Sequence, residues 1–211
     1  MTKVYLFSLC LVLTSCFQIT EKIHQYSNES GQYSLMVDFS ESWFKTKSAI
    51  FLGEVDGVRI PEEMEIKKRL MEYKRDALKI QGISKVETSY DFNNYIFSIR
   101  FSYSTIASLN AALNLINYDQ GEFIHFKFND GLFERIASYP LPEDLKTKEK
   151  RKETLSAALI TAVYTFDKTI YGIKNPEGKL SKSKKTVFLR HTVWDVLQDN
   201  SLMNNSIRFT P

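Results

Sequence analysis

The sequence predicts an α+β fold in which helices pack on one face of an antiparallel sheet. In several short segments apolar and polar residues alternate, as in strands with one buried face. Between them, apolar residues recur every three or four positions, as in amphipathic helices. Aromatic residues make up 13% of the chain, with 15 Phe and 11 Tyr, and such residues favour strands.

A strand and two helices are predicted in the first part of the folded region. Every second residue is apolar over residues 32–39, which predicts the first strand. A short helix over residues 41–51 follows, with Ser40 as its cap. A longer helix is predicted to begin with Pro61, which suits a first helical turn, and to end at Gly82.

Two hairpins on either side of another helix are predicted next. Residues 83–92 and 95–103 form the first hairpin, joined by an Asn-Asn pair that suits a tight turn. A helix follows over residues 104–117. Residues 123–128 and 132–138 form the second hairpin, around an Asp-Gly turn.

These elements divide the chain into a main domain and an extension. Residues 32–139 have the order βαββαβ, which predicts a ferredoxin-like sandwich. Residues 140–153 contain two prolines and then many charges, and we expect a linker there. Residues 154–211 form a β-rich C-terminal extension, and the pattern leaves open whether it completes the main sheet or forms a separate subdomain.

Residues 1–15 are predicted to be a secretory signal peptide. After Lys3, residues 4–13 are an apolar run that would extend roughly 15 Å as a helix, about half of a bilayer's hydrocarbon core. The run ends in Leu-Thr-Ser-Cys at residues 13–16, which resembles the lipobox of bacterial lipoproteins. The resemblance implies cleavage before Cys16, a diacylglycerol on its thiol and an acyl chain on its new amino group.

The residues after the lipobox bear on location. Phe17 stands where inner-membrane lipoproteins carry a retaining Asp, which favours the outer membrane and leaves a Gram-positive host open. Residues 16–31 are mostly polar and predict a flexible tether between the lipid and the folded body. The chain has two cysteines, and Cys10 leaves with the signal peptide, so we expect no disulfide.

The predicted architecture also resembles that of LppM-like bacterial lipoproteins, whose function is poorly defined. The resemblance is carried by Cys16, the strand at residues 32–39, the hairpin at residues 91–100 and the Tyr-Thr-Phe sequence at residues 164–166. It implies an extracytoplasmic, non-catalytic body with no active-site residues to transfer.

No sequence pattern predicts catalysis or a metal site. His24, His125 and His191 are isolated from one another, whereas a zinc site needs three or four converging ligands. No strained Gly-x-Ser-x-Gly nucleophile motif occurs. Residues 172–180 depart from a phosphate-binding loop in their glycine spacing and in carrying Leu180 in place of Ser or Thr. We therefore expect no enzymatic activity, cofactor or metal.

Two basic runs are candidate contacts for an anionic lipid surface. They comprise Lys148, Lys150, Arg151 and Lys152, and then Lys182, Lys184 and Lys185. The alternative is a solvated linker followed by a solvated hairpin. The formal net charge of +3 is too small to indicate a nucleic-acid partner.

The sequence thus predicts a membrane-anchored extracytoplasmic lipoprotein that acts as a non-catalytic binding or envelope-assembly module. Its expected partners are the membrane, through the lipid anchor, and an envelope protein. The alternative is a carrier of a lipid or small apolar ligand, which requires a cavity of several hundred Å³.

Overall fold

The computed structural model describes residues 17–55, 58–116, 121–136 and 152–210. These residues form 13 strands and five α-helices. The strands are β1 (Gln18–Gln25), β2 (Gly31–Asp38), β3 (Glu54–Val55), β4 (Val58–Arg59), β5 (Ile83–Asp91), β6 (Ile96–Tyr103), β7 (Phe126–Asn129), β8 (Leu132–Arg135), β9 (Leu159–Phe166), β10 (Ile170–Ile173), β11 (Lys179–Leu180), β12 (Thr186–Thr192) and β13 (Asn205–Phe209). The helices are α1 (Trp43–Leu52), α2 (Glu63–Ala77), α3 (Ile106–Asn114), α4 (Lys152–Ala157) and α5 (Val193–Gln198), with 3-10 turns at Ser40–Ser42 and Asn200–Met203.

The strands form one large sheet, one smaller sheet and a short ribbon. The main sheet has seven strands in the order β11-β12-β9-β1-β2-β6-β5. Within it β1 and β9 run parallel, and the other neighbours are antiparallel. The second sheet has the order β10-β13-β8-β7, and β3 pairs with β4 alone.

One face of the main sheet carries the hydrophobic core. Helices α2 and α3 lie against β5 and β6, and the second sheet lies against β9. Aromatic rings join the two sheets: the Phe133 and Phe166 ring centroids are 5.1 Å apart, and those of Phe126 and Tyr164 are 6.1 Å apart. The opposite face carries polar side chains such as Lys22, Ser34 and Arg100, as expected where one side of a sheet is solvated.

The α+β prediction is confirmed, but the ferredoxin-like arrangement is not the one observed. The order β2-β6-β5, with β6 antiparallel to both neighbours, is that of a split βαβ unit. Helix α2 returns the chain along the sheet, so β5 runs parallel to β2. The predicted fourth strand, β7, belongs to the second sheet, and β1 occupies the other side of β2. The main sheet is mixed rather than purely antiparallel, because β1 and β9 run parallel.

The prediction of a flexible tether at residues 16–31 is wrong. Residues 18–25 form β1, a central strand that pairs with β2 on one side and β9 on the other. Its buried residues include Glu21 and Gln25, so the strand lacks the apolar alternation that would have revealed it. These two polar side chains find hydrogen-bond partners elsewhere in the core.

The C-terminal extension completes the main sheet. Strand β9 lies between β1 and β12, and β13 pairs with β8 across the predicted linker. Residues of both predicted parts belong to one continuous core. The predicted separation of residues 32–139 from residues 154–211 therefore does not correspond to two packing units.

Local predictions were more accurate at the hairpins than at the helix ends. The β7–β8 turn contains the predicted Asp130-Gly131 pair, both with positive φ. The β5–β6 loop spans residues 92–95, and its left-handed residue is Tyr95 rather than either Asn. Helix α2 ends at Ala77, before the predicted Gly82, and helices α4 and α5 were not predicted.

The predicted signal peptide, Cys16 and residues 140–151 of the predicted linker lie outside the described residues. None of the helices within the described ranges has the length and apolar character needed to cross a membrane.

Candidate ligand-binding groove

Helix α2 forms one wall of a groove, and charges at its first turn fix its position. Glu65 accepts hydrogen bonds from Arg59 on β4, at 2.7 Å, and from Arg69 one turn along the helix, at 2.8 Å. The hydrogen bond from Arg59 is the main cause that holds the pKa of Glu65 below its usual value. Acidic residues in the first turn and basic residues in the last also complement the helix dipole.

Leu115 and Ile116, directly after helix α3, form the opposite wall, and the N-terminus of that helix is capped. The Thr105 hydroxyl accepts the backbone N–H of Ser108 at 3.1 Å, and the Ser108 hydroxyl accepts the backbone N–H of Thr105 at 3.2 Å. This reciprocal capping box satisfies backbone groups that the helix leaves unpaired.

The other end of α3 is attached to the segment that leads into β7. Asn110 accepts the backbone N–H groups of His125 and Phe126 at 3.0 and 2.9 Å. Asn114 accepts the N–H of Phe123 at 3.1 Å and donates to its carbonyl at 3.2 Å. The helix is therefore held at both ends by side chains of its own sequence.

Between α2 and α3, above β6, lies an open groove with a volume of about 480 Å³. Its apolar lining residues are Ile66, Leu70, Tyr73, Ile99, Leu115 and Ile116, and its charged ones are Arg69, Glu72 and Asp76. The volume is within the range of small-molecule sites, which are mostly apolar with a few polar groups.

Tyr73 places an unsatisfied polar group in the wall of the groove. Its side chain is 8% exposed, and its hydroxyl has no hydrogen-bond partner within the described part of the chain. Burial raises the pKa of Tyr73, so the hydroxyl stays protonated and can donate. The hydroxyl oxygen is enclosed by the protein, and a buried hydroxyl without a partner costs about 1–3 kcal/mol.

A carboxylate on α2 supplies negative charge to the lining of the groove. Hydrogen bonds from Arg75, first, and from Lys79, at 2.7 Å, hold the pKa of Asp76 well below its usual range. Asp76 is therefore ionised across the physiological pH range. An apolar lining with added charged groups suits a ligand that has both an apolar and a polar part.

A buried charge network between the two sheets is the other arrangement that could carry chemistry. Glu21 on β1 is 4% exposed and Arg135 on β8 is 3% exposed. Arg135 Nε donates to Glu21 Oε2 at 3.1 Å, and Arg135 Nη2 donates to Glu21 Oε1 at 3.2 Å. Tyr33 and Tyr164 donate to the same carboxylate at 3.1 and 2.7 Å.

The hydrogen-bonding capacity of this network is used within the protein. Both oxygens of Glu21 accept two hydrogen bonds each, which leaves the carboxylate little capacity to take a proton from a substrate. Arg135 also donates to the carbonyls of His125 and Ile136 and lies over the Phe126 ring, 4.7 Å from its centroid. The cluster joins β1 of the main sheet to β8 of the second sheet.

The sequence-predicted histidines lie in separate environments. His125 Nε2 donates to Asn114 Oδ1 at 2.9 Å, and burial, followed by the charge of Arg135, lowers the pKa of His125 to about 4. His24 contacts Asp167 at 3.1 Å, and His191 lies 3.8 Å from Glu177. Among the residues with described coordinates, no three His, Cys, Asp or Glu side chains are grouped as a metal site would require.

The predicted basic residues with described coordinates lie at opposite ends of β9. Lys148, Lys150 and Arg151, like Cys16, lie outside the described residues. Lys152 begins α4, which leads into the Leu159 end of β9, and its ammonium lies 5.9 Å from the Trp194 ring centroid. Lys182, Lys184 and Lys185 lie in the turn before β12, at the Phe166 end of β9, about 25 Å away along an eight-residue strand.

The groove residues were not identified from the sequence, although a signal for them was present. Ile66, Leu70, Tyr73 and Ala77 follow the i, i+4, i+7, i+11 spacing of one helical face. Three other apolar residues of this segment, Met64, Met71 and Leu78, form a second stripe, and their side chains are exposed. Helical spacing could separate the two stripes but could not say which one faces the sheet.

Comparison with known proteins gives a structural likeness alone. No protein-family model matches the sequence, and no curated protein matches it. The fold is similar to the NMR structure of the folded domain of LppM from Mycobacterium tuberculosis, with a TM-score of 0.48 and 12% sequence identity. The alignment covers 94% of this chain and 92% of the LppM domain.

Proposed function

We propose that this protein is a lipid-anchored extracytoplasmic lipoprotein that binds an apolar or amphiphilic ligand in the groove between α2 and α3, without catalysing a reaction on it. The groove itself is the observation that carries the ligand-binding part. A cavity of about 480 Å³ meets the size that a carrier of a lipid or small apolar molecule requires.

The chemistry of the groove supports an amphiphile over a purely polar ligand. Ile66, Leu70 and Ile99 offer apolar contact. Arg69 and Asp76 supply charge of both signs for a polar end. Burying apolar ligand surface contributes about 25 cal/mol per Å², so the apolar part would supply most of the affinity.

The absence of catalysis is proposed from the kinds of residue at the two sites. Among the described residues that line the groove, none is a Ser, Cys or His that could act as a nucleophile or base. The buried carboxylate of Glu21 is committed to Arg135 and two tyrosines. The address outside the cytoplasm is proposed from the signal peptide and lipobox pattern at residues 1–16.

The groove is tested with N-phenyl-1-naphthylamine, an apolar dye whose fluorescence rises in apolar sites. We expect the full-length protein to bind the dye and lysophospholipid to displace it. Ile66→Trp, which fills the groove, should weaken dye binding at least about tenfold, since removing most of the apolar contact costs more than 1.4 kcal/mol. Tyr73→Phe should leave the binding of both ligands intact, because the Tyr73 hydroxyl oxygen is enclosed by the protein.

Met64→Trp is the matched control, because Met64 lies on the same helix, is exposed and does not line the groove. Equal dye binding by the wild-type protein and Ile66→Trp would reject the groove as the binding site. The lipid anchor is tested separately by measuring the intact mass of the protein. Protein purified from bacterial membranes should start at Cys16 and carry diacylglycerol plus one acyl chain. An unmodified thiol there would remove the proposed address and leave the groove result unaffected.

A further inference from the structure

Helix α1 presents its apolar side chains outward. Trp43, Phe44, Phe51 and Leu52 are 47, 67, 90 and 68% exposed, and no residue of the helix is buried. At about 100° per residue, their spacing of i, i+1, i+8 and i+9 spreads them over half of the helix circumference, with Lys47 between Trp43 and Phe51. Exposed apolar groups clustered in this way mark an interaction surface rather than a solvent face.

The helix holds this surface in a defined shape. Gly53 ends it in the left-handed conformation, with φ of 69°, and donates its N–H to the carbonyls of Ala49 and Ile50 at 3.0 and 3.2 Å. The rings of Trp43 and Phe44 meet edge to face, with centroids 6.0 Å apart. Lys47 lies beside them, its ammonium 5.8 Å from the Trp43 ring centroid.

The apolar helix lies at the end of the main sheet where the described chain begins. Gln18, at the start of β1, is opposite Asp38, at the end of β2, and α1 follows β2 after one short turn. The Phe17 and Phe39 ring centroids are 5.1 Å apart, and the Phe17 carbonyl accepts the N–H of Leu159 at 3.0 Å. Phe17 is therefore part of the folded body.

Cys16 is bonded directly to Phe17, so their Cα atoms are about 3.8 Å apart. The predicted tether does not exist, because residues 18–25 are a central strand. An acyl chain on Cys16 would therefore enter the bilayer beside this end of the sheet. The elements found there would have to meet the lipid surface.

We propose that α1 lies in the interfacial region of the membrane that carries the anchor, with Trp43, Phe44, Phe51 and Leu52 inserted among the lipids. This rests on the lipid anchor of the proposed function, but not on ligand binding. Trp suits the boundary between headgroups and acyl chains, and lysines extend their ammonium groups toward phosphate. Lys45 and Lys47 on α1 and Lys152 at the same end of β9 would face anionic headgroups.

The proposal is tested by quenching of tryptophan fluorescence in vesicles. The full-length protein with Trp194→Phe retains Trp43 as its one tryptophan. It is reconstituted into vesicles of phosphatidylethanolamine and phosphatidylglycerol containing spin-labelled phosphatidylcholine. We expect roughly twofold or greater quenching of Trp43, as for a ring at the headgroup level.

Tyr171 supplies the matched control reporter. It is 79% exposed and lies in β10, beyond the Phe166 end of β9 and away from Phe17. Tyr171→Trp, with Phe at positions 43 and 194, should show little quenching in the same vesicles. Equal quenching of the two reporters would overturn the proposal, because a freely tumbling tethered body gives that result.

The apolar contacts and the charges are tested apart. Phe44→Ser with Phe51→Ser and Leu52→Ser should abolish most Trp43 quenching while the protein still floats with vesicles through its anchor. Lys45→Gln with Lys47→Gln should reduce quenching in vesicles with phosphatidylglycerol but not in phosphatidylcholine alone. Because the residues are exposed, unchanged thermal unfolding is expected and serves as the folding control.

Other occupants of α1 give distinct outcomes that overturn the proposal. A second copy would give a dimer by analytical ultracentrifugation that the triple serine variant loses. An uncleaved apolar leader on the helix would shield Trp43 in the absence of vesicles and appear in the intact mass. If Cys16 is unmodified but Trp43 is quenched on mixing with vesicles, the lipid anchor of the proposed function is rejected. The insertion of α1 into the membrane is then supported without it.

Discussion

Single polar residues set the pH response of this protein, and His125 is the clearest case. It is buried, and its pKa is lowered to about 4 from 6.5, first by burial and then by the charge of Arg135. The unfolded chain therefore binds a proton at this position at a pH where the folded chain does not. The stability that follows is fully present above about pH 6.5 and is lost as the pH falls toward 4.

We expect the free energy of unfolding to decline between pH 6.5 and 4 by up to about 3 kcal/mol on account of His125, because one pKa unit corresponds to about 1.4 kcal/mol. His125→Gln keeps a donor for Asn114 but does not titrate, so it should flatten the decline. Urea unfolding at a series of pH values measures this. The control variant His24→Gln, at a half-exposed position, should retain the decline in stability. An unchanged decline in His125→Gln would contradict the assignment of the decline to His125.

Another residue-scale feature is Tyr95, which is buried although it has a φ of 54°. A bulky residue rarely adopts this conformation. Its hydroxyl donates to Glu63 at the start of α2 at 3.1 Å, and the Tyr95 carbonyl accepts the N–H of Phe39. The β5–β6 loop thereby connects one end of the main sheet to the helix that walls the groove.

At the scale of elements, β1 has the largest consequence. It lies between β2 and β9, which are distant in sequence, and it brings Phe17 into the folded body. Gly31 permits the tight approach at the start of β2, since a Cβ there would collide with the His24 carbonyl and the Tyr103 ring. A short polar strand thus determines both the sheet order and the position of the predicted anchor.

The role of β1 is tested by a pair of adjacent substitutions. Ile23 is buried in the core, so Ile23→Ala should destabilise the protein by about 2–5 kcal/mol. Lys22 points to the solvated face, so Lys22→Ala should change stability by less than about 0.5 kcal/mol. Denaturant unfolding of both variants provides the measurement. Were residues 18–25 a tether, neither substitution would matter.

Helices α1 and α2 differ in whether their apolar side chains are buried or exposed. Helix α2 has one apolar stripe against the sheet and a second, sparser one exposed. Helix α1 buries no side chain at all and exposes its largest ones. The difference separates a helix that builds a groove from one that offers a surface.

At the scale of the whole molecule, the Glu21–Arg135 pair joins the two sheets. Glu21 lies in the middle of the main sheet, and Arg135 lies in the second sheet, 114 residues further along the chain. The pair is buried and hydrogen-bonded on all sides, including by Tyr164. Such a pair contributes little net stability when complete, but its disruption leaves an uncompensated buried charge.

We expect Glu21→Gln to cost about 3–5 kcal/mol, because the Arg135 guanidinium would then lack a counter-charge in the core. Combining it with Arg135→Gln should cost less than the sum of the single changes, since the double variant buries no charge. A double-mutant cycle from urea unfolding checks this. Strictly additive costs would mean that the two residues do not act as a pair.

The sequence by itself determined the structural features that depend on residues close to one another along the chain. The Asp130-Gly131 turn and the extent of β6 follow from local backbone chemistry, and they were predicted close to where they lie. The α+β class followed from periodicity, because a segment's period reflects its own backbone geometry. The apolar leader and lipobox pattern are also local, and they remain predictions.

Only the tertiary structure decided β1, the groove and the buried network. Glu21 looks like a solvent residue in sequence, and its burial is tolerated because Arg135 and Tyr164 arrive from 114 and 143 residues away. The groove exists because α2 and α3 stand apart above β6, a separation that no segment encodes alone. The energy of a buried polar group depends on which partners surround it in space, and local pattern carries no record of them.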